Sequence, residues 1–170
     1  MYCEDSMATD IDHYRPKSRF PDYCYDWENY LLACSHCNSN LKRNQFPLKR
    51  GRPMLINPTL KNPMKHLALS LSTGIYFEID EIGRQTIKVF GLNREICVQG
   101  RQMAWVSLCA LFSQYDKEIN MNEVAETIQN FPFQGVRRTL VQIFSDGDPA
   151  AVIPAEIIGI LGRRPELLAL

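Results

Sequence analysis

The sequence predicts an α+β chain with a small N-terminal strand-and-helix motif, a β-hairpin, and a mainly helical C-terminal part. Three observations carry this. Residues 1–46 are rich in Tyr, Asp, Cys, Asn and His and poor in long periodic patterns, which suits a motif held by ligands and local hydrogen bonds. Residues 75–90 contain two β-branched and aromatic runs, and beyond residue 94 apolar residues recur at helical spacing. The corresponding domains are a motif over 1–50, an extended connection and hairpin over 51–94, and a helical scaffold or partner-docking region over 95–170.

The elements follow in chain order. Pro47, Pro53, Pro58 and Pro63 each bias the preceding residue away from helix, so 47–63 reads as an extended connection. Ile75–Ile79 and Thr86–Phe90, separated by a segment containing Gly83, read as a hairpin. Ile96, Val98, Met103, Val106, Leu108, Leu111 and Phe112 fit a long, largely buried helix entered from a cap at Asn93. Further helices are expected over 122–129, 135–144 and 154–161, broken at Pro132 and at the Asp146-Gly147-Asp148-Pro149 turn.

A chain of 170 residues can bury one sizeable core. With 45% hydrophobic and 22% charged residues it is not disordered. The formal net charge of zero excludes a body that coats nucleic acid through bulk charge. Between His13 and Pro53, however, Arg15, Lys17, Arg19, Lys42, Arg43, Lys49, Arg50 and Arg52 outnumber Asp22, Asp26 and Glu28. That asymmetry fits a phosphate-binding face, or equally a solvated basic surface. The start carries no secretory pattern and no apolar run reaches membrane-spanning length, so the expected location is cytoplasmic. Six cysteines in such a chain read as free thiols or metal ligands rather than disulfides.

The chemistry concentrates in Ile11-Asp12-His13-Tyr14-Arg15-Pro16-Lys17 and in the stretch from Trp27 to Lys42. Hydrolysing a phosphodiester needs a deprotonated water, a Lewis acid on the phosphate and a positioned base. A hard cation such as magnesium takes oxygen ligands, which Asp12 and the Asn38 side-chain carbonyl can supply. His13 follows Asp12 and points the other way if the segment is extended, so one strand can deliver both metal ligand and base. Lys42, four residues past Asn38, would share its helical face and could meet a phosphate or stand as a plain surface lysine. Arg15 and Lys17 are read as nucleic-acid contacts with the same alternative. Trp27 and Tyr30 are expected to pack the motif against the rest, while Cys97 and Cys109 read as buried apolar residues. His36 is expected to be exposed filler and His66 to cap or brace the fold.

These residues resemble the HNH, or ββα-metal, endonuclease family. The resemblance implies that Asp12 is the metal-binding acid, His13 the general base, Asn29 the residue that braces the base, and Asn38 the third position. Asn in place of the final His keeps an oxygen ligand and shifts the preferred metal toward Mg2+ or Mn2+. The longer layout, with Phe46-Pro47, Leu55-Ile56-Asn57-Pro58, Lys65-His66-Leu67 and Gly91-Leu92-Asn93-Arg94, is similar to the PtuB nucleases of the Septu anti-phage system and to retron-linked HNH proteins. It covers about the first hundred residues. It implies a DNA-cutting effector working beside an ATPase partner, PtuA, and no Gly-rich phosphate loop occurs here to place nucleotide chemistry in this chain.

The same resemblance implies a structural zinc site of two Cys-x-x-Cys pairs. Cys34 and Cys37 form one pair, and Tyr2-Cys3-Glu4 matches the second half of the other, whose first cysteine would stand one place before Met1. Cys3, Cys34 and Cys37 are the expected Zn2+ ligands. A longer reading frame, Cys24 or water completing the set, and a site without zinc all stay open. The rival function is a non-catalytic zinc-stabilised module that binds nucleic acid or protein. It gives no reason for Asp12, His13, Asn29 and Asn38 to occur in this order. An enzyme acting on RNA would use the same residues. With few side chains able to read base edges, weak sequence preference is expected.

Overall fold

The structure is a computed structural model that describes residues 2–5 and 8–170. It is mixed α and β, with three short antiparallel strand pairs followed by helices. The chain divides into two compact units, one of residues 1–68 and 75–98, the other of 69–74 and 99–170.

In the first unit, β1 (Asp10–His13) pairs with β2 (Tyr30–Ala33) in the register Asp10↔Ala33, Asp12↔Leu31 and His13↔Tyr30. Leu31 and Ala33 on β2 are buried, whereas Ile11 and Leu32 face outward at 59% and 47% exposure. The ribbon thus has one inner face, as its period of two requires. After β2, residues His36–Lys42 form a π-helical turn that ends at Arg43 with φ +49°. β3 (Leu48–Lys49) and β4 (Arg52–Pro53) make a two-residue hairpin through Arg50 and Gly51. Both loop residues have positive φ, the twist that matches right-handed flanking strands. Tyr14, Leu31, Phe46, Leu55, Ile56, Val89 and Phe90 form the apolar interior of this unit.

The expected hairpin over 75–90 is only half present. β6 (Tyr76–Glu78) is a strand, but it pairs with β5 (Leu67–Leu69), and Thr86–Phe90 lies in α1 (Glu81–Phe90). Local β propensity loses to two strong end signals and a helical stripe. Asp80 caps the start by accepting from the Gly83 N–H, and Gly91 closes the end in a left-handed conformation. Thr86, Val89 and Phe90 are buried at helical spacing. Gly83 itself is obligatory, because a Cβ there would run into the His66 carbonyl.

The long helix is α2 (Glu95–Asp116). Asn93 does not cap it, since its side-chain amide bonds both the N–H and the carbonyl of Tyr76. In the second unit Ala104, Leu108, Phe112 and Tyr115 supply the buried stripe of α2. Met103 and Val106 were expected in that core but are 70% and 68% exposed, as is Ile96 at 68%, so α2 presents an outward apolar stripe. α3 (Met121–Asn130), α4 (Gln134–Asp146) and α5 (Ala155–Arg163) stand where the periodicity places them, and α6 (Glu166–Ala169) follows. Among the described residues no helix is long and apolar enough to cross a membrane.

Candidate active site

Strand alternation decides what each residue of β1 can reach. Asp10 and Asp12 project to the face covered by the π-helical turn, and His13 projects to the other. The His13 Nε2 lies 3.2 Å from the Cys24 carbonyl, and the Tyr30 phenol donates to the same carbonyl at 2.7 Å. A carbonyl only accepts, so Nε2 carries the proton and Nδ1 keeps its lone pair. The Tyr30 ring meets the imidazole edge-on, centroids 5.0 Å apart at 86°, and fixes its plane. His13 is half-buried and can meet solvent.

Asn29 is 4% exposed and uses both ends of its amide. Its Oδ1 accepts from the Arg15 N–H at 2.7 Å, and its Nδ2 donates to the Arg15 and Tyr23 carbonyls at 3.1 and 3.0 Å. The amide therefore mimics a strand partner for Arg15 just beyond the end of β1. Asn29 braces the chain following His13 rather than the imidazole itself.

Asp12 is 2% exposed. Its Oδ1 accepts from the Lys42 ammonium at 2.8 Å and its Oδ2 from the Tyr2 phenol at 2.6 Å. The Lys42 Nζ also donates to the His13 carbonyl at 2.6 Å. Lys42 is fully buried, which corrects its expected role as a surface contact to nucleic acid. A buried carboxylate needs a compensating charge, and the Arg43 N–H to Asn38 carbonyl bond of the π-helical turn widens the turn that carries Lys42 inward. Burial pushes the Lys42 ammonium below its ordinary value, against the pull of Asp12. Burial and then the Asp12 charge raise Tyr2, whose ring stacks on Phe90 at 3.7 Å.

Asn38 meets a different acid from the expected one. Its Nδ2 donates to Asp10 Oδ2 at 3.2 Å, and Asp10 also accepts from Ser35 at 2.8 Å and Ser39 at 3.4 Å. The Ser35 hydroxyl and then Asn38 hold the Asp10 carboxyl below the usual carboxylate range. Sequence reasoning passed over Asp10, although i, i+2 spacing from Asp12 puts both on one face of β1. Asp10, Asp12 and the Asn38 amide are all hard oxygen donors, a set whose chemistry suits Mg2+ or Mn2+. The Lys42 ammonium on Asp12 is a cation already held by that carboxylate, and the second lone pair of each carboxylate oxygen remains for a metal.

Arg15 is half-buried with its guanidinium 4.2 Å from the Tyr23 ring centroid, and Lys17 is exposed. Trp27 is 83% exposed and touches Tyr30 edge-on, so it does not pack the motif as expected. It sits in a one-turn segment capped by Asp26 in which only Asn29 turns inward. His36 is exposed. His66 bonds Asp80 at 2.7 Å, bracing the start of α1.

A second cluster is sulfur. Cys3, Cys34 and Cys37 bring their Sγ atoms within 4.8 Å of one another, with Cys3 and Cys34 3.7 Å apart. Tetrahedral zinc with bonds of ~2.3 Å has sulfurs ~3.8 Å apart, so the spacing fits a zinc ion. Cys24 is not part of this group; its backbone serves His13 instead. The Cys37 thiol hydrogen bond holds Cys3 well below the ordinary thiol range, and Arg94 reaches Cys37 at 3.9 Å.

Comparison with known proteins bears on this geometry. Residues 1–44 match the HNH endonuclease family. The chain is similar to a Septu protein PtuB of Bacillus thuringiensis, 30% identical over 99 residues, covering 55% of this chain and 36% of that protein. It is also similar to a Septu protein PtuA of Bacillus mycoides strain KBAB4, 27% identical over 198 residues, covering 96% of this chain and 28% of that protein. The chain thus spans about a third of the length of these curated relatives. No solved structure matches.

Proposed function

We propose, from the HNH endonuclease match at the N-terminus and the likeness to Septu proteins, that this chain is a metal-dependent nuclease that hydrolyses DNA as the effector of an anti-phage defence system. The observation that carries the reading is the His13 imidazole, pinned through Nε2 to the Cys24 carbonyl so that Nδ1 is left as a base. Its pinning by a backbone atom also supports a water-activating role over a structural one, since a merely structural histidine has no need of a free nitrogen at a half-exposed edge.

In the proposed reaction Nδ1 takes a proton from water as the water oxygen bonds to phosphorus. The bond to one bridging oxygen breaks, its electron pair stays on that oxygen, and the oxygen takes a proton from solvent. The Cys24 carbonyl, accepting from Nε2–H, stabilises the imidazolium that forms. Asp12 and Asn38, with Asp10 beside them, would hold the divalent ion, which when bound neutralises phosphate charge and the leaving oxygen. Lys42 and Tyr2 fix the Asp12 carboxylate in place. Asn29 holds the Arg15 backbone, and with it the position of Arg15 and Lys17 as contacts to flanking phosphates. Zinc on Cys3, Cys34 and Cys37 would be structural. The exposed stripe of Ile96, Met103 and Val106 supports a protein partner, and the Septu likeness supports an ATPase of the PtuA kind in that place.

One observation favours the rival reading of a silent binding module: both oxygens of Asp12 are already engaged and the group is almost fully buried. Nicking of supercoiled plasmid with Mg2+, with and without the ATPase partner, separates the two. The parent is expected to nick and His13→Ala to bind without nicking. Binding without nicking by both proteins, partner present, would establish the module. RNA offered in parallel decides the substrate.

A further inference from the structure

We propose that Cys97 is the fourth ligand of the structural zinc site formed by Cys3, Cys34 and Cys37. This rests on the reading of that cluster as a zinc site and extends it to a residue distant in sequence that composition alone marks as a buried apolar side chain.

Structural zinc is four-coordinate, so three thiolates leave one vertex to fill. Cys97 stands in the first turn of α2, is 2% exposed, and its thiol is in hydrogen-bonding contact with Cys3, the central member of the cluster. It belongs to the same compact unit as the other three. The remaining cysteines are placed elsewhere: Cys24 lies beside His13 through its backbone, and Cys109 lies in the other unit. The sulfurs are not disulfide partners, since all six cysteines are free thiols and the Cys3–Cys34 separation of 3.7 Å is far beyond an S–S bond.

Charge gives an independent argument. Four thiolates on a dication leave an anionic centre, which in a buried place needs a cation. Arg94, one turn before Cys97, supplies it. Its Nη2 lies 3.9 Å from Cys37 Sγ, its electrostatic partners are Cys97, Cys37 and Cys3, and its Nη1 is anchored on the Phe90 and Gly91 carbonyls. Neutral thiols alone would give no reason to bury part of a guanidinium against sulfur. With Cys97 as ligand, one ion ties the turn after β2 and the segment before β1 to the start of α2, locking α1 and the Gly91–Arg94 turn onto the nuclease motif.

Zinc-edge X-ray absorption of the full, unmodified chain tests the assignment. Four sulfurs at about 2.3 Å are expected; three sulfurs and one nitrogen or oxygen near 2.0 Å would overturn the Cys97 assignment while keeping the other three. A purified chain that holds no zinc would overturn both. Cobalt(II) substitution then identifies the residue. Cys97→Ser is expected to lose about a quarter of the sulfur-to-cobalt charge-transfer intensity, one thiolate of four, and Cys109→Ser none. Undiminished intensity in Cys97→Ser would overturn the proposal, and if that variant fails to fold the absorption spectrum of the parent still decides. Neither readout depends on nuclease activity, so each outcome is separate from the fate of the catalytic reading.

Discussion

Lys42→Met removes a charge and leaves the aliphatic stem, which makes it a clean probe of the buried pair with Asp12. In the parent the ammonium lies 2.8 Å from Asp12 Oδ1 with both side chains almost wholly excluded from water. Taking away one partner strands a buried carboxylate, at a cost of about 3–5 kcal/mol. An exposed pair would lose only about 0.2–1 kcal/mol. The magnitudes separate because the penalty is the unpaired charge rather than the lost attraction. Replacing both partners, as in Asp12→Asn with Lys42→Met, removes the charge as well, and the double variant is expected within about 2 kcal/mol of the parent. Tyr2 can still donate to the new amide oxygen, so the contact beneath the pair survives. Denaturant unfolding at neutral pH followed by circular dichroism measures all three proteins. A loss below about 1 kcal/mol in Lys42→Met would refute the burial argument and return Lys42 to the surface as a phosphate contact.

Asn29→Ala strips three hydrogen bonds from a buried amide and leaves the Arg15 backbone unpaired, so unfolding should fall by about 2–4 kcal/mol, and a change under about 1 kcal/mol would show that water replaces the amide. Burial pushes the Tyr14 phenol up to about 12. A group raised in the folded state gives stability that is whole below its unfolded value near 10 and lost as pH climbs toward 12. Alkaline denaturation should therefore steepen across that window and flatten in Tyr14→Phe, and an identical slope in both would contradict it. Asn38→Ala should raise the magnesium concentration that half-saturates nicking while leaving the unfolding midpoint nearly unchanged, and an unaltered titration would remove Asn38 from the metal site.

Much of the motif was legible from types and spacing. An acid followed by a histidine at the end of a strand fixes their opposite directions, and Cys-x-x-Cys followed by Asn reports a turn that closes on metal or sulfur. The sequence could not show which acid Asn38 meets, because Asp10 and Asp12 share a face and only the path of the π-helical turn decides between them. Lys42 was misplaced for the same reason: as a one-dimensional pattern it is a polar residue on a short helix, and its burial follows from the carboxylate opposite. Thr86–Phe90 show tertiary end signals overriding β propensity, with Asp80 and Gly91 setting a helix that the local residue types alone contradict. Cys97 was unreadable because a ligand sixty residues from its partners carries no spacing signal. The C-terminal helices were the easiest, since long apolar periodicities need no partner to be recognised.

The central claim is that a free Nδ1 on His13 removes a proton from the attacking water. Chemical rescue addresses it most directly: His13→Gly opens a cavity where imidazole in solution can stand in for the lost side chain. Plasmid nicking by this variant, with magnesium and the ATPase partner present, is expected to be abolished and then restored by added imidazole in proportion to its unprotonated form. Nicking by His13→Gly at the parent's rate, without imidazole, would contradict the account.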